Sequence, residues 1–128
     1  MPQEKKDKTK PARCELLAPA GSPEKAAYAL EYGADAVYAG VPEFSLRSRI
    51  RGFDDESIVR TISKVHAMRR KIYLTANIFA HNRHIAGLKD HLKIYKNHMP
   101  DAFIVSDIGV MEAIRKKFPK VPDRKSVV

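Results

Sequence analysis

Only one cysteine, Cys14, occurs in the 128 residues, so the chain has no internal disulfide, which fits a reducing compartment. No segment is long and apolar enough to span a bilayer. The opening stretch, MPQEKKDKTKPAR, lacks the apolar core of a signal peptide, and this predicts residence in the cytoplasm. Glycine (6) and proline (8) are scattered rather than clustered, and 44% of the residues are hydrophobic, a profile that excludes disordered and fibrous classes. Neither CxxC nor HExxH occurs. His84, His91 and His98 recur at intervals of seven, about 10.5 Å apart along a helix at 1.5 Å rise, and therefore cannot share one zinc. A metal site built from these residues is not expected.

Positive charge is what the chain has in excess. Lys plus Arg number 24 against 15 acidic residues, a net charge of +9. Residues 1–13 hold five basic and two acidic side chains, or +3, and residues 123–128 add +1, which leaves +5 in the body. The first block reads as a basic flexible N-terminal arm, either a solubilising tail or a nucleic-acid contact. The body permits a polyanionic partner without requiring one.

Four short apolar runs recur: Leu16 to Ala18, Ala36 to Ala39, Ile72 to Ala76 and Ala102 to Val105. Because they do not alternate with polar residues, they predict parallel strands covered on both faces. Between them lie helical spacings. Ser22, Pro23 and Glu24 form a start signal, and Gly33 a stop after Tyr32. Asp54 or Asp55 begins a second helix with the stripe Ile58, Ile62, Val65 and Met68. A third aligns Ile85, Leu88, Leu92 and Tyr95, and a fourth Val110, Ala113, Ile114 and Phe118 before Pro119 ends it.

The order βαβαβαβα predicts an α/β fold with a parallel sheet and right-handed crossovers. A doubly wound sheet usually carries a glycine-rich turn after its first strand, yet LLAPAGSP has one glycine. The expectation is therefore a TIM-type (β/α)8 barrel. A whole barrel needs roughly 250 residues, so about four βα units, its N-terminal half, are anticipated over residues 14–122, a truncated barrel. The last six residues, DRKSVV, stand where a fifth strand is due and match what one reading frame of a common sequencing adapter encodes. Residues 123–128 are accordingly read as a non-native tail, the alternative being a fifth strand that begins at Val127.

In a barrel the chemistry gathers at the C-terminal ends of the strands. The connection from Gly40 to Phe53 is long for a βα loop and carries Arg47 and Arg49, two apart, which in an extended stretch project to one side and can grip one anion. Solvated decoration of a surface loop is the other reading of these arginines. Asn77, His81, Asn82, Ser106 and Asp107 follow the third and fourth strands and approach the same rim. His81 can move protons near neutral pH, and Asp107 can orient a base or accept from a hydroxyl. Asn82, Ser106 and Asp107 have helix capping as a competing role. Cys14, before the first strand, falls at the opposite end.

The stretches ELLAPAGSPEKAAYALEYGADAVYAG, FSLRSR, AHNRH and FIVSDIGVMEAIRKKFP resemble, in the same order and spacing, the N-terminal half-barrel of the collagenase-like peptidase family, family U-32. The likeness runs from Glu15 to about Pro122. YAGVPEFSLRSR and KKFPKVP lean toward the branch that hydroxylates the wobble uridine of tRNA to 5-hydroxyuridine, rather than those acting on ribosomal RNA or a quinone precursor. That resemblance implies an oxygen-independent hydroxylation that draws on prephenate and an iron-sulfur cluster, whose cysteines lie in the family beyond the end of this chain. It implies tRNA as partner, with no membrane or DNA. Arg47 and Arg49 then become anion contacts, Ser45, Asn77 and Asn82 further substrate contacts, and His81 and Asp107 the catalytic candidates. These 128 residues alone are expected to be inactive. Proteolysis, the activity in the family's older name, and RNA binding without chemistry are the competing functions.

Overall fold

The computed structural model describes residues 14–42, 52–77 and 82–125. Ser22 adopts an extended backbone and its hydroxyl accepts from the Lys25 amide at 3.2 Å, so helix α1 (Pro23–Glu31) starts at the cap with proline in its first turn. Gly33 ends it at φ +100°, a left-handed conformation that an L side chain would strain. Helix α2 (Asp55–Ala67) opens on a reciprocal capping box. The Asp54 carboxylate accepts from the Ser57 amide at 2.7 Å, and the Asp54 amide donates to the Ser57 hydroxyl at 2.9 Å. Helix α3 (Asn82–His91) tightens into a 3-10 turn over Leu92–Tyr95. Helix α4 (Ile108–Lys117) is capped by Asp107 and closes at Phe118, ahead of Pro119.

Strands β1 (Leu17–Pro19), β2 (Ala36–Gly40), β3 (Lys71–Ala76), β4 (Ala102–Val105) and β5 (Asp123–Lys125) form one parallel sheet in the order β1-β2-β3-β4-β5. A doubly wound sheet reverses its strand order once. No such reversal occurs among these strands. All strand C-termini point to one pole of the sheet, and the helices return the chain to the other.

Alternate strand residues build the core. Val37 and Ala39, Ile72, Leu74 and Ala76, and Phe103 and Val105 pack with Leu30, Ile58, Ile62, Leu88, Leu92, Val110 and Ile114 in a single buried cluster. Phe103 stacks on Phe118 with ring centroids 6.1 Å apart and meets Tyr95 edge-on at 6.2 Å. The intervening residues Tyr38, Tyr73 and Ile104 are only half-buried, on the other face of the sheet.

The α/β class and the parallel sheet are as expected, while several details differ. The helices cover one face rather than two, because a sequential strand order with crossovers of one hand places every helix on the same side. β1 is one residue later than anticipated and is an edge strand, which leaves Leu16 and Leu17 exposed. Met68 leaves the buried stripe of α2 because it is the C-cap, where the backbone turns away, and is 48% exposed. Leu88, Leu92 and Tyr95 are buried as expected, but helix α3 itself stops at His91; the side chain of Ile85 lies outside the described residues. The fifth strand begins at Asp123, within the stretch read as a tail. Its pairing uses the backbone edge of β4, which accepts any extended segment, and it makes β1 and β5, rather than β4, the edges of the sheet.

Candidate active face

The pole at the strand C-termini is assembled by backbone hydrogen bonds that continue past the strands. The Ala20 amide donates to Tyr38 O and the Val41 amide to Thr75 O, each at 2.9 Å, which fixes where the first two βα connections leave the sheet. Val41 and Pro42 are buried at the start of the second connection, and at its end Phe53 packs on the core before the Asp54 cap. Both described ends of that long connection are thus anchored at this pole. Ser45, Arg47, Arg49 and Arg51 themselves lie outside the described residues, as does His81.

The register Ala76↔Val105 sets Asn77 beside Ser106 at the ends of adjacent strands, with Asp107 one residue further. Asn77, Ser106 and Asp107 are all half-buried. One carboxylate oxygen of Asp107 accepts from the Val110 amide at 3.1 Å. Its capping role is therefore realised, and that role holds the carboxyl in place at the rim. Asn82 begins α3, but its side chain lies outside the described residues. Of the candidates read from sequence, Asn77, Ser106 and Asp107 are the three whose side chains are described on this face.

A cleft of about 350 Å³ opens beside them, between α4 and β5. Ser106, Asp107, Ile108 and Met111 line one part, and the Arg115–Asp123 pair, joined at 2.8 and 3.3 Å, lines another. Ile108 is 73% exposed at its mouth.

Two further polar arrangements went unread in the sequence. The half-buried face of the sheet carries Tyr73, whose phenol donates to Glu15 at 2.6 Å. Burial, together with that hydrogen bond to the carboxylate, pushes the phenol up to about 12. The period-two placement of Tyr73 and Thr75 between Ile72, Leu74 and Ala76 was the available signal. The second arrangement joins His91 to Asp55 at 3.3 Å and to the Tyr95 hydroxyl at 2.9 Å. Burial, then the Asp55 charge, raises the Tyr95 phenol well above its ordinary value. This contact locks the end of α3 to the start of α2.

Among the described residues no group of three or more His, Cys, Asp or Glu can hold a metal ion, and Cys14 is exposed before β1, at the opposite pole. These residues do not fit an iron-sulfur cluster. No described helix is long and apolar enough to cross a membrane.

Residues 21–127 match the family described as Peptidase family U32. The chain is 42% identical over 113 residues to tRNA hydroxylation protein P of Escherichia coli K12, covering 88% of this chain and 25% of that protein. It is 43% identical over 107 residues to tRNA hydroxylation protein P1 of Bacillus subtilis 168, covering 84% and 25%. A collagenase of Porphyromonas gingivalis W83 is more distant, 30% identical over 98 residues and covering 76% and 24%. The chain thus spans about a quarter of the length of the curated relatives it matches. With the match running from the first helix cap through the fifth strand, over parallel βα units of one sheet, the chain belongs to peptidase family U32.

Proposed function

We propose that the whole protein to which this chain contributes hydroxylates the wobble uridine of tRNA to 5-hydroxyuridine, and that these residues form the first part of a (β/α)8 barrel. The observation that carries the reading is the 42% identity to an E. coli tRNA hydroxylation protein across 88% of the chain. The sequential parallel sheet with helices on one face supports the barrel, because its half-buried face would become the packed interior on closure. Prephenate and an iron-sulfur cluster belong to this proposal for the whole protein. With Cys14 the single cysteine, any cluster ligands would come from chain outside these 128 residues. Arg47 and Arg49, with Ser45, Asn77 and Asn82, are proposed to hold the anionic substrates, and His81 and Asp107 to handle protons at the rim.

Proteolysis is the second reading, favoured by the collagenase relative. The nearest described approach to a hydrolytic dyad is Ser63 with His98, Oγ to Nδ1 at 3.0 Å. It does not form a triad, since the carboxylate of Asp101 is bonded to His66 instead. Ser63 also lies within α2, where the amides an oxyanion would need are used by the helix itself. The deciding experiment measures 5-hydroxyuridine by mass spectrometry in tRNA from a strain lacking the gene. Loss of the nucleoside, restored by the intact gene, is expected. An unchanged level, together with peptide cleavage by the purified protein, overturns the reading.

A further inference from the structure

Helices α2 and α4 end at the pole opposite the candidate active face, and both ends are basic. Lys64 and Arg69 stand at the end of α2, Lys116, Lys117 and Lys120 at and beyond the end of α4, and Lys96 on the segment that runs between them. The hydrogen bonds Ser63–His98 and His66–Asp101 tie that segment to α2, so the cations follow one another along the pole. At interhelical spacings of 8–10 Å the row is on the order of 20 Å long.

The acids at this pole are already engaged. Glu15 accepts from Tyr73 and pairs with Lys71, while Asp35 accepts from the Leu16 amide and pairs with Arg70. Asp101 accepts from the Ile72 amide and bonds His66, and Asp123 pairs with Arg115. Glu31 ends α1 on the far flank. Lys64, Arg69, Lys96, Lys116, Lys117 and Lys120 are all exposed, and among the described residues none has an ion-pair partner.

Cations near helix C-termini complement the helix dipole, which accounts for Lys64, Lys116 and Lys117 in part. It does not account for Lys120, which lies past Pro119. Nor does it account for Arg69, whose φ of +58° makes it the one non-glycine residue with positive φ among those described. A helix commonly ends at such a position with glycine, and an arginine there strains the backbone. Strain retained at a surface position points to a use for the side chain.

We propose that this pole is a second RNA-contact surface that binds the phosphate backbone of a folded RNA away from the reacting base. The inference rests on the proposed RNA substrate but concerns a different surface. A row of separate cations suits successive phosphates, and such contacts supply affinity without reading sequence.

The test titrates the whole protein into a fluorescent, unmodified tRNA transcript at several salt concentrations. Replacing Lys116, Lys117 and Lys120 together by Gln is expected to weaken binding roughly tenfold at about 0.1 M salt and to reduce the salt slope by two to three. Arg69→Gly is expected to weaken binding roughly threefold while raising the melting temperature, so its loss of affinity cannot come from unfolding. Arg60→Gln, midway along α2 and paired with Glu56, leaves binding unchanged. In an activity assay the triple variant raises KM and spares kcat. Unchanged tRNA affinity in the triple variant overturns the proposal. So does a loss confined to binding of phosphatidylglycerol vesicles, or binding that depends on residues 1–13 alone. If the unsubstituted protein makes no 5-hydroxyuridine, the functional reading fails, while the anisotropy result still decides this surface.

Discussion

The Tyr73 phenol donates a 2.6 Å hydrogen bond to a carboxylate oxygen of Glu15, which lies 58 residues earlier in the chain. The contact ties the segment before edge strand β1 to the centre of the sheet, two strands away. Tyr73→Phe removes it and is expected to cost about 1 kcal/mol, a charged hydrogen bond reduced by partial solvent exposure. Because the folded-state value is raised from 10.0 to about 12, this stabilisation is full below pH 10 and is lost as pH rises toward 12. Chemical denaturation of both proteins at neutral and alkaline pH checks it: a gap that persists above pH 12 would contradict the assignment.

The Asp54 carboxylate is held below its ordinary 3.8, chiefly by the hydrogen bond from the Ser57 amide and then by that of the Ser57 side chain. A depressed value stabilises the fold above the ordinary carboxylate range, and that contribution is lost as pH falls through the lowered value. Asp54→Ala is therefore expected to lower the melting temperature at neutral pH, with the difference from the parent shrinking on acidification. A difference independent of pH would mean that the capping box is not its source.

Asp107 offers a way to separate structure from chemistry. Asparagine caps a helix as well as aspartate does, so Asp107→Asn should keep stability within about 0.5 kcal/mol. If the carboxylate moves a proton at the rim, the same substitution lowers turnover of the whole protein roughly a hundredfold or more. Turnover close to that of the parent would confine Asp107 to capping.

The open face of the sheet, with Tyr38, Tyr73 and Ile104 half-buried, and the exposed Leu16, Leu17 and Ile108 leave apolar surface and two strand edges uncovered. Expressed as these 128 residues alone, the chain is expected to self-associate or to melt broadly. Sedimentation together with calorimetry tests this, and a monomer with one sharp transition would count against a sheet that needs further chain to close.

Burial of Phe103 between Tyr95 and Phe118 makes it the most sensitive core position on β4. Phe103→Ala is expected to cost about 3–5 kcal/mol. Urea midpoints of the whole protein measure it, and a loss below about 1 kcal/mol would show that the site collapses around the gap.

By itself the sequence determined what is decided within a few residues. Ser22, Asp54 and Asp107 cap helices because each accepts a hydrogen bond from an amide three positions on, and Gly33 turns the chain because only its backbone tolerates the angle cheaply. The runs ending at Ala76 and Val105 likewise placed Asn77 and Asp107 at neighbouring strand ends. Tertiary structure alone decided which strands lie at the edges and which sheet face stays open. It also decided that Met68 emerges into solvent, that Glu15 meets Tyr73, and that the acids around one pole are engaged while Lys64, Lys96, Lys116, Lys117 and Lys120 are not. Those outcomes depend on strand register and on the single hand of the crossovers, which join residues tens of positions apart and leave no local pattern behind.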